Sequence, residues 1–152
     1  MLKKIIFPLF LILFISNCGY TPLYVNSSNG NFEISNFKID GNNEINSIVK
    51  NKLKKYLNNN SNKKYNLEIL TNYEKLSVAK DATGNTTNFK LIVDINLNYS
   101  EINKSQKNIF FSEELIIRRD RNNYEQNNYE QIVIKNITEM LTDKIILHLS
   151  RN

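Results

Sequence analysis

The chain of 152 residues has one cysteine, one histidine, two prolines and four glycines. Each scarcity closes a route to function. A single cysteine, Cys18, allows no intrachain disulfide. A single histidine, His148, cannot build a histidine-based metal centre, and no HExxH pair occurs. Four glycines leave little material for a phosphate-cradling loop, and there is no GxSxG elbow. Net charge is +5, yet no dense Lys/Arg run and no RNA-binding motif is present, so nucleic acid is a poor fit. Glu113 and Glu114 adjoin in an extended segment, where neighbours face opposite sides, so they make no acid/base pair. Their expected role is solvation and protection of a sheet edge. Nothing here points to an enzyme, and no metal or diffusible cofactor is expected.

Long apolar runs are also scarce. The one present, Ile5–Ile15, follows Lys3 and Lys4. As a helix it measures about 16 Å, well short of the ~30 Å hydrocarbon core of a bilayer. A positive start and a short apolar run form a secretion-signal pattern. The run ends in Ile15-Ser16-Asn17-Cys18-Gly19, which resembles the lipobox of bacterial lipoproteins, with Asn17 departing from the usual Gly or Ala. That resemblance implies cleavage after residue 17, a thioether-linked diacylglycerol on Cys18, and an acyl chain such as palmitate on its amino group. Several chains anchor a domain stably, since each buried CH₂ contributes about 0.8 kcal/mol. Gly19 after the cysteine resembles diderm lipoproteins sorted to the outer membrane. The plainer alternative is an ordinary signal peptide with a stray cysteine.

Residues 1–17 are thus read as signal, 18–31 as a lipid-anchored tether holding Pro22 and a Ser/Asn/Gly cluster, and 32–152 as one domain. The mature part, about 135 residues, can bury roughly two thirds of its unfolded surface. Its net charge is near +3, because Lys3 and Lys4 leave with the signal. Asn occurs 27 times, mostly as surface and loop residues.

Phe32, Ile34, Phe37 and Ile39 alternate with a slip at Ser35-Asn36, which predicts a strand with a bulge. A turn at residues 40–43 follows, with Asn43 as N-cap. Ile45, Ile48, Val49, Leu53, Tyr56 and Leu57 form one helical stripe, ending in residues 58–62. Tyr65, Leu67 and Ile69 open a second strand that continues through Tyr73, Leu76 and Val78. Past a turn at 80–85, Phe89, Leu91, Val93, Ile95, Leu97 and Tyr99 share one face of a third strand. Lys90, Asp94, Asn96 and Asn98 share the other, with Ile92 the apolar exception. A polar loop at 100–107 precedes a fourth strand, Ile109–Ile117, with Phe111, Leu115 and Ile117 inward. Residues 118–128 are expected to form a long polar connection. A final helix runs from about Tyr129 to His148. Its stripe is Ile134, Ile137, Leu141, Ile145 and His148, flanked by Met140 and Leu149. His148 on that stripe is expected to be a packed or rim residue.

The fold class is therefore α+β: a two-layer sandwich of β-α-β-β-β-α order, with a four-stranded, mostly antiparallel sheet and two helices packed on one face. A right-handed first crossover makes the first two strands parallel. In this meander Lys80, Lys90, Arg118, Arg119 and Arg121 gather toward one end of the sheet. Arg forks and Lys point charges suit phosphate, so the cluster is a candidate site for an anionic lipid. The plainer reading is a solvated loop.

Cys18-Gly19-Tyr20-Thr21-Pro22-Leu23-Tyr24 resembles the "CGFTPLY" start of the alphaproteobacterial LptE family of LPS-assembly lipoproteins. Leu76-Ser77-Val78-Ala79-Lys80-Asp81, its turn and the strand to Tyr99 resemble that family's central hairpin. Asn128-Tyr129-Glu130 and the helix to Leu149 and Arg151 resemble its closing helix. The resemblance implies a non-enzymatic outer-membrane lipoprotein, anchored on the periplasmic face. It would plug and help assemble an LptD-type β-barrel and assist lipopolysaccharide transport to the cell surface. It places lipopolysaccharide-contacting positions near Lys80 and in 118–121. The polar sheet edges and Tyr residues suit a wet barrel lumen. Two rivals are a lipid-anchored periplasmic lipid carrier without a barrel partner, which needs a sizeable apolar pocket, and an envelope hydrolase, which needs a catalytic pair.

Overall fold

The computed structural model describes residues 32–151. The stretches read as signal (1–17) and lipid-anchored tether (18–31), Cys18 included, lie outside the described residues. Period-two alternation builds four strands: β1 (Phe32–Gly41), β2 (Lys63–Lys80), β3 (Thr86–Glu101) and β4 (Lys107–Arg118). They form one sheet in the order β1-β2-β3-β4. β1 is parallel to β2, and the other two pairings are antiparallel. The expected slip is present as a register shift between Ile34 and Asn36. Two helices, α1 (Asn43–Leu53) and α2 (Asn123–Arg151), complete the β-α-β-β-β-α order.

Both helices cover one sheet face. Leu91, Val93, Ile95 and Leu97 of β3 are fully buried, with Tyr65, Leu67 and Ile69 of β2 beside them. Above lie Ile45, Val49 and Leu53 of α1, and Ile134, Ile137, Leu141, Ile145 and Leu149 of α2. This filled interface drives the fold, each large apolar side chain contributing about 1.5–3 kcal/mol.

The structure corrects several boundaries. Asn42, not Asn43, caps α1: its Oδ1 accepts from the amides of Glu44 (3.1 Å) and Ile45 (3.2 Å). The helix tightens after Leu53 into a 3₁₀ turn, Lys54–Tyr56. Tyr56 there stacks on Phe32 at 4.5 Å, while Leu57 leaves the stripe to bridge Ile34. α2 starts at Asn123, so residues 123–128 are helix rather than connection. Asn122 prepares that start by accepting from the Tyr124 amide at 2.9 Å. Buried Gln126 and Glu130 carry the stripe into the polar stretch. Leu115 lies on the inner face, opposite Leu91, yet is 43% exposed, because β4 is an edge strand. Glu113 and Glu114 do face opposite ways. Glu113 pairs with Lys144 of α2, and Glu114 pairs with Lys90 on the outer face.

The outer face is a polar ladder interrupted by single apolar residues. Asn108 donates to both Asn96 and Asn98, Ser112 donates to Asp94 at 2.6 Å, and Asn36 donates to Asn66 at 2.8 Å. Among these stand exposed Leu70, Leu76, Phe110 and Ile116. Among the described residues no helix is long and apolar enough to cross a membrane.

The sheet has two unlike ends. β1 begins and α2 finishes at one, the tether end. The β2–β3 hairpin and the start of α2 form the other, the distal end. Sixteen residues of β3 separate them by about 50 Å at ~3.3 Å each. An aromatic row crosses the inner face at the tether end: Tyr56, Phe32, Tyr65, Tyr99 and His148 touch in sequence. His148 thus packs at the rim, its Nε2 2.8 Å from the Tyr99 hydroxyl.

Burial, then nearby Lys107, hold the His148 imidazole below its ordinary value of 6.5. The unfolded chain therefore takes this proton first on acidification, and stability is lost as pH falls below that value. Chemical-denaturation midpoints should be level above pH 7 and decline toward pH 5 by more than in His148→Gln. Parallel pH profiles for the two proteins would disprove the assignment.

Candidate functional site

The distal end is built from the β2–β3 turn and the loop after β4. Asp81 shapes the turn: its Oδ1 accepts from the amides of Thr83 and Asn85, both at 2.9 Å, and from the Thr83 hydroxyl at 2.6 Å. Those bonds, the Thr83 hydroxyl first, hold the Asp81 carboxyl below its usual range. Lys80 closes β2 opposite Thr86. Arg118 closes β4 opposite Asn88, and the Arg119 amide donates to the Thr87 carbonyl at 2.8 Å. One sheet end thus gathers exposed Lys80, Arg118, Arg119 and Arg121. None of the four forms an ion pair with a described residue.

Lys90 does not join them. It sits on the outer face between Leu76 and Ile116, and its Nζ lies 3.1 and 3.0 Å from the two Glu114 oxygens. Its charge is already matched.

A buried polar relay fixes the arginine loop. The Asp120 amide donates to Gln126 Oε1 at 2.5 Å, and Gln126 Nε2 donates to Glu130 at 2.7 Å. Glu130 pairs with Lys75, whose ammonium lies 4.2 Å from the Phe89 ring centroid. Beside the relay, burial and then the charges of Glu130 and Glu44 push the Tyr73 hydroxyl up to about 12. Sequence reasoning missed Lys75, Gln126 and Glu130. A signal was available, because 126 and 130 continue the 134, 137, 141 stripe at helical spacing, with polar letters in place of apolar ones.

The arrangement suits the binding of an anion. Guanidinium and ammonium donors surround an open rim, and their loop is held by buried bonds, which lowers the entropy lost on capturing phosphate. Among the described residues no group of three His, Cys, Asp or Glu is placed to hold a metal ion.

This architecture is the fold of the rare lipoprotein B type of bacterial lipoprotein. Rare lipoprotein B from Shewanella oneidensis superposes with a TM-score of 0.59 at 15% identity, over 76% of this chain and 91% of that one. A minor lipoprotein from Acinetobacter baumannii gives 0.54 at 14% identity, over 79% and 91%. A lipoprotein B from Nitrosomonas europaea gives 0.52 at 12%, over 78% and 84%. No protein-family model and no curated protein matches the sequence.

Proposed function

We propose that this chain is a lipid-anchored outer-membrane lipoprotein of LptE type. It plugs and helps assemble an LptD-type β-barrel, meets lipopolysaccharide at its distal rim, and catalyses nothing. The observation that carries this reading is the single two-layer domain of lipoprotein B fold, whose arginine rim stands at the end opposite the chain's entry. Three further features support it. Residues 15–19 resemble a lipobox, the three solved structures named above are bacterial lipoproteins, and the amide ladder suits a wet lumen.

The carrier reading is weaker, because the space between sheet and helices is occupied by core side chains. An open groove of about 600 Å³ lies between α1 and α2, lined by Ile48, Ile132 and polar neighbours.

The test is co-purification from native membranes in mild detergent. A large β-barrel protein should come down with the lipoprotein in near-equal amount, and its absence would favour the carrier. A charge-assisted hydrogen bond contributes roughly 1.5–3 kcal/mol. The triple variant Arg118→Glu, Arg119→Glu, Arg121→Glu should therefore bind lipopolysaccharide at least about tenfold more weakly. Its unfolding midpoint should stay close to that of the parent. Unchanged affinity at low salt would reduce the rim to a solvated loop.

A further inference from the structure

The tether end carries a second basic surface that the proposed function does not use. Lys54 and Lys55 of the 3₁₀ turn, Lys63 at the start of β2, Lys107 at the start of β4 and Arg151 at the end of α2 meet there. Pairing explains the convergence. Phe32 lies beside Lys63, Tyr99 lies opposite Lys107, and the Tyr65 hydroxyl reaches the Leu149 carbonyl. None of these five cations forms an ion pair with a described residue. The acids nearby are already engaged. Glu33 lies 3.0 Å from Lys64, an ion pair not aligned as a hydrogen bond, and Glu101 lies 2.5 Å from Lys104. Two apolar side chains stand among the cations, Leu57 at 37% exposure and Ile102 at 46% in the β3–β4 turn.

We propose that this end docks on the anionic phospholipid headgroups of the membrane that holds the anchor. The inference rests on the reading of Cys18 as lipidated, since that joins the domain to a bilayer through Phe32. Charge alone does not single out this end, because the distal rim is basic too. Connectivity does. The thirteen residues from 19 to 31 reach at most about 45 Å, and they enter the fold amid the cations. The distal rim stands about 50 Å further on. Lysine and arginine beside an anionic leaflet are attracted within a Debye length, about 8 Å at physiological salt. An apolar residue at the tip, Ile102, can enter the headgroup boundary. Docking by this end turns the arginine rim away from the phospholipid.

The test uses the chain from residue 18 with Cys18→Ser, so that acyl chains do not mask the weaker contact. Co-sedimentation is measured at low salt with phosphatidylglycerol/phosphatidylcholine vesicles and with phosphatidylcholine alone. Binding should need phosphatidylglycerol and disappear in high salt. The triple variant Lys54→Gln, Lys55→Gln, Lys107→Gln should bind on the order of a hundredfold more weakly. Neutralising Lys80, Arg118, Arg119 and Arg121 to Gln should change binding only a few-fold. The chain has no tryptophan, so Ile102→Trp reports contact directly. Brominated acyl chains should quench it but not Ala82→Trp at the distal turn. Equal binding by parent and triple variant, equal binding to both vesicles, or quenching at 82 and not at 102 would overturn the proposal. None of these readouts depends on lipidation, which the mass of Cys18 in native membranes reports separately.

Discussion

Gly41→Ala should destabilise the domain by about 3–5 kcal/mol, the largest effect expected of a single methyl group in this protein. Gly41 ends β1 at φ +107°, a conformation that L side chains rarely adopt. A Cβ there would lie 2.0 Å from the Thr71 carbonyl oxygen. Both the contact and the torsion would have to relax through backbone, and this backbone is tightly held. The Asn42 amide lies 3.3 Å from the Thr71 carbonyl and 3.0 Å from the Thr71 hydroxyl. That hydroxyl, buried, donates to Asn46 Oδ1 at 2.7 Å. Moving Gly41 therefore disturbs the β1–β2 pairing and the first turn of α1 together. Urea denaturation of the parent and the variant checks it. A loss below about 1 kcal/mol would mean that the turn relaxes freely. Gly84, also at positive φ (+87°), has open space where a methyl group would stand and should tolerate alanine far better.

Cys18→Ala should abolish lipid anchoring. One myristoyl chain gives only marginal, reversible binding, near 10⁴ M⁻¹, whereas two or more hold a protein stably. A diacylglycerol plus an N-acyl chain on Cys18 would therefore hold the domain at the membrane against a large volume of periplasm. Without the thiol no thioether can form. The protein should then accumulate as an uncleaved precursor in the inner membrane or as a soluble form. Its migration in fractionated cells, and the mass of its N-terminal peptide, decide the matter. A fully anchored Cys18→Ala protein would refute the lipobox assignment.

The strands were legible because their faces differ so sharply. β3 alternates buried and part-exposed residues from Leu91 to Tyr99, and the same alternation is present in its letters. The bulge after Ile34 was visible as a break in phase. The start of α2 was not, because Gln126 and Glu130 are polar. They are buried only because Lys75 and the Asp120 amide meet them there, and both partners lie far along the chain or across a loop. Lys90 misled for a similar reason. Its pairing with Glu114 depends on strand register, which composition does not reveal.

Local chemistry in the chain by itself determined the α+β order, the lipobox-like stretch at 15–19 and the two amphipathic stripes. Each follows from residue type and spacing, which act over a few residues. The tertiary structure alone decided which charges remain unmatched. Sheet register and helix packing pair Lys90, Lys144, Lys64, Lys75 and Lys52 with carboxylates. They leave one basic cluster at each end of the sheet. Coulomb attraction acts through space, so which cations are neutralised depends on contacts between segments distant in sequence.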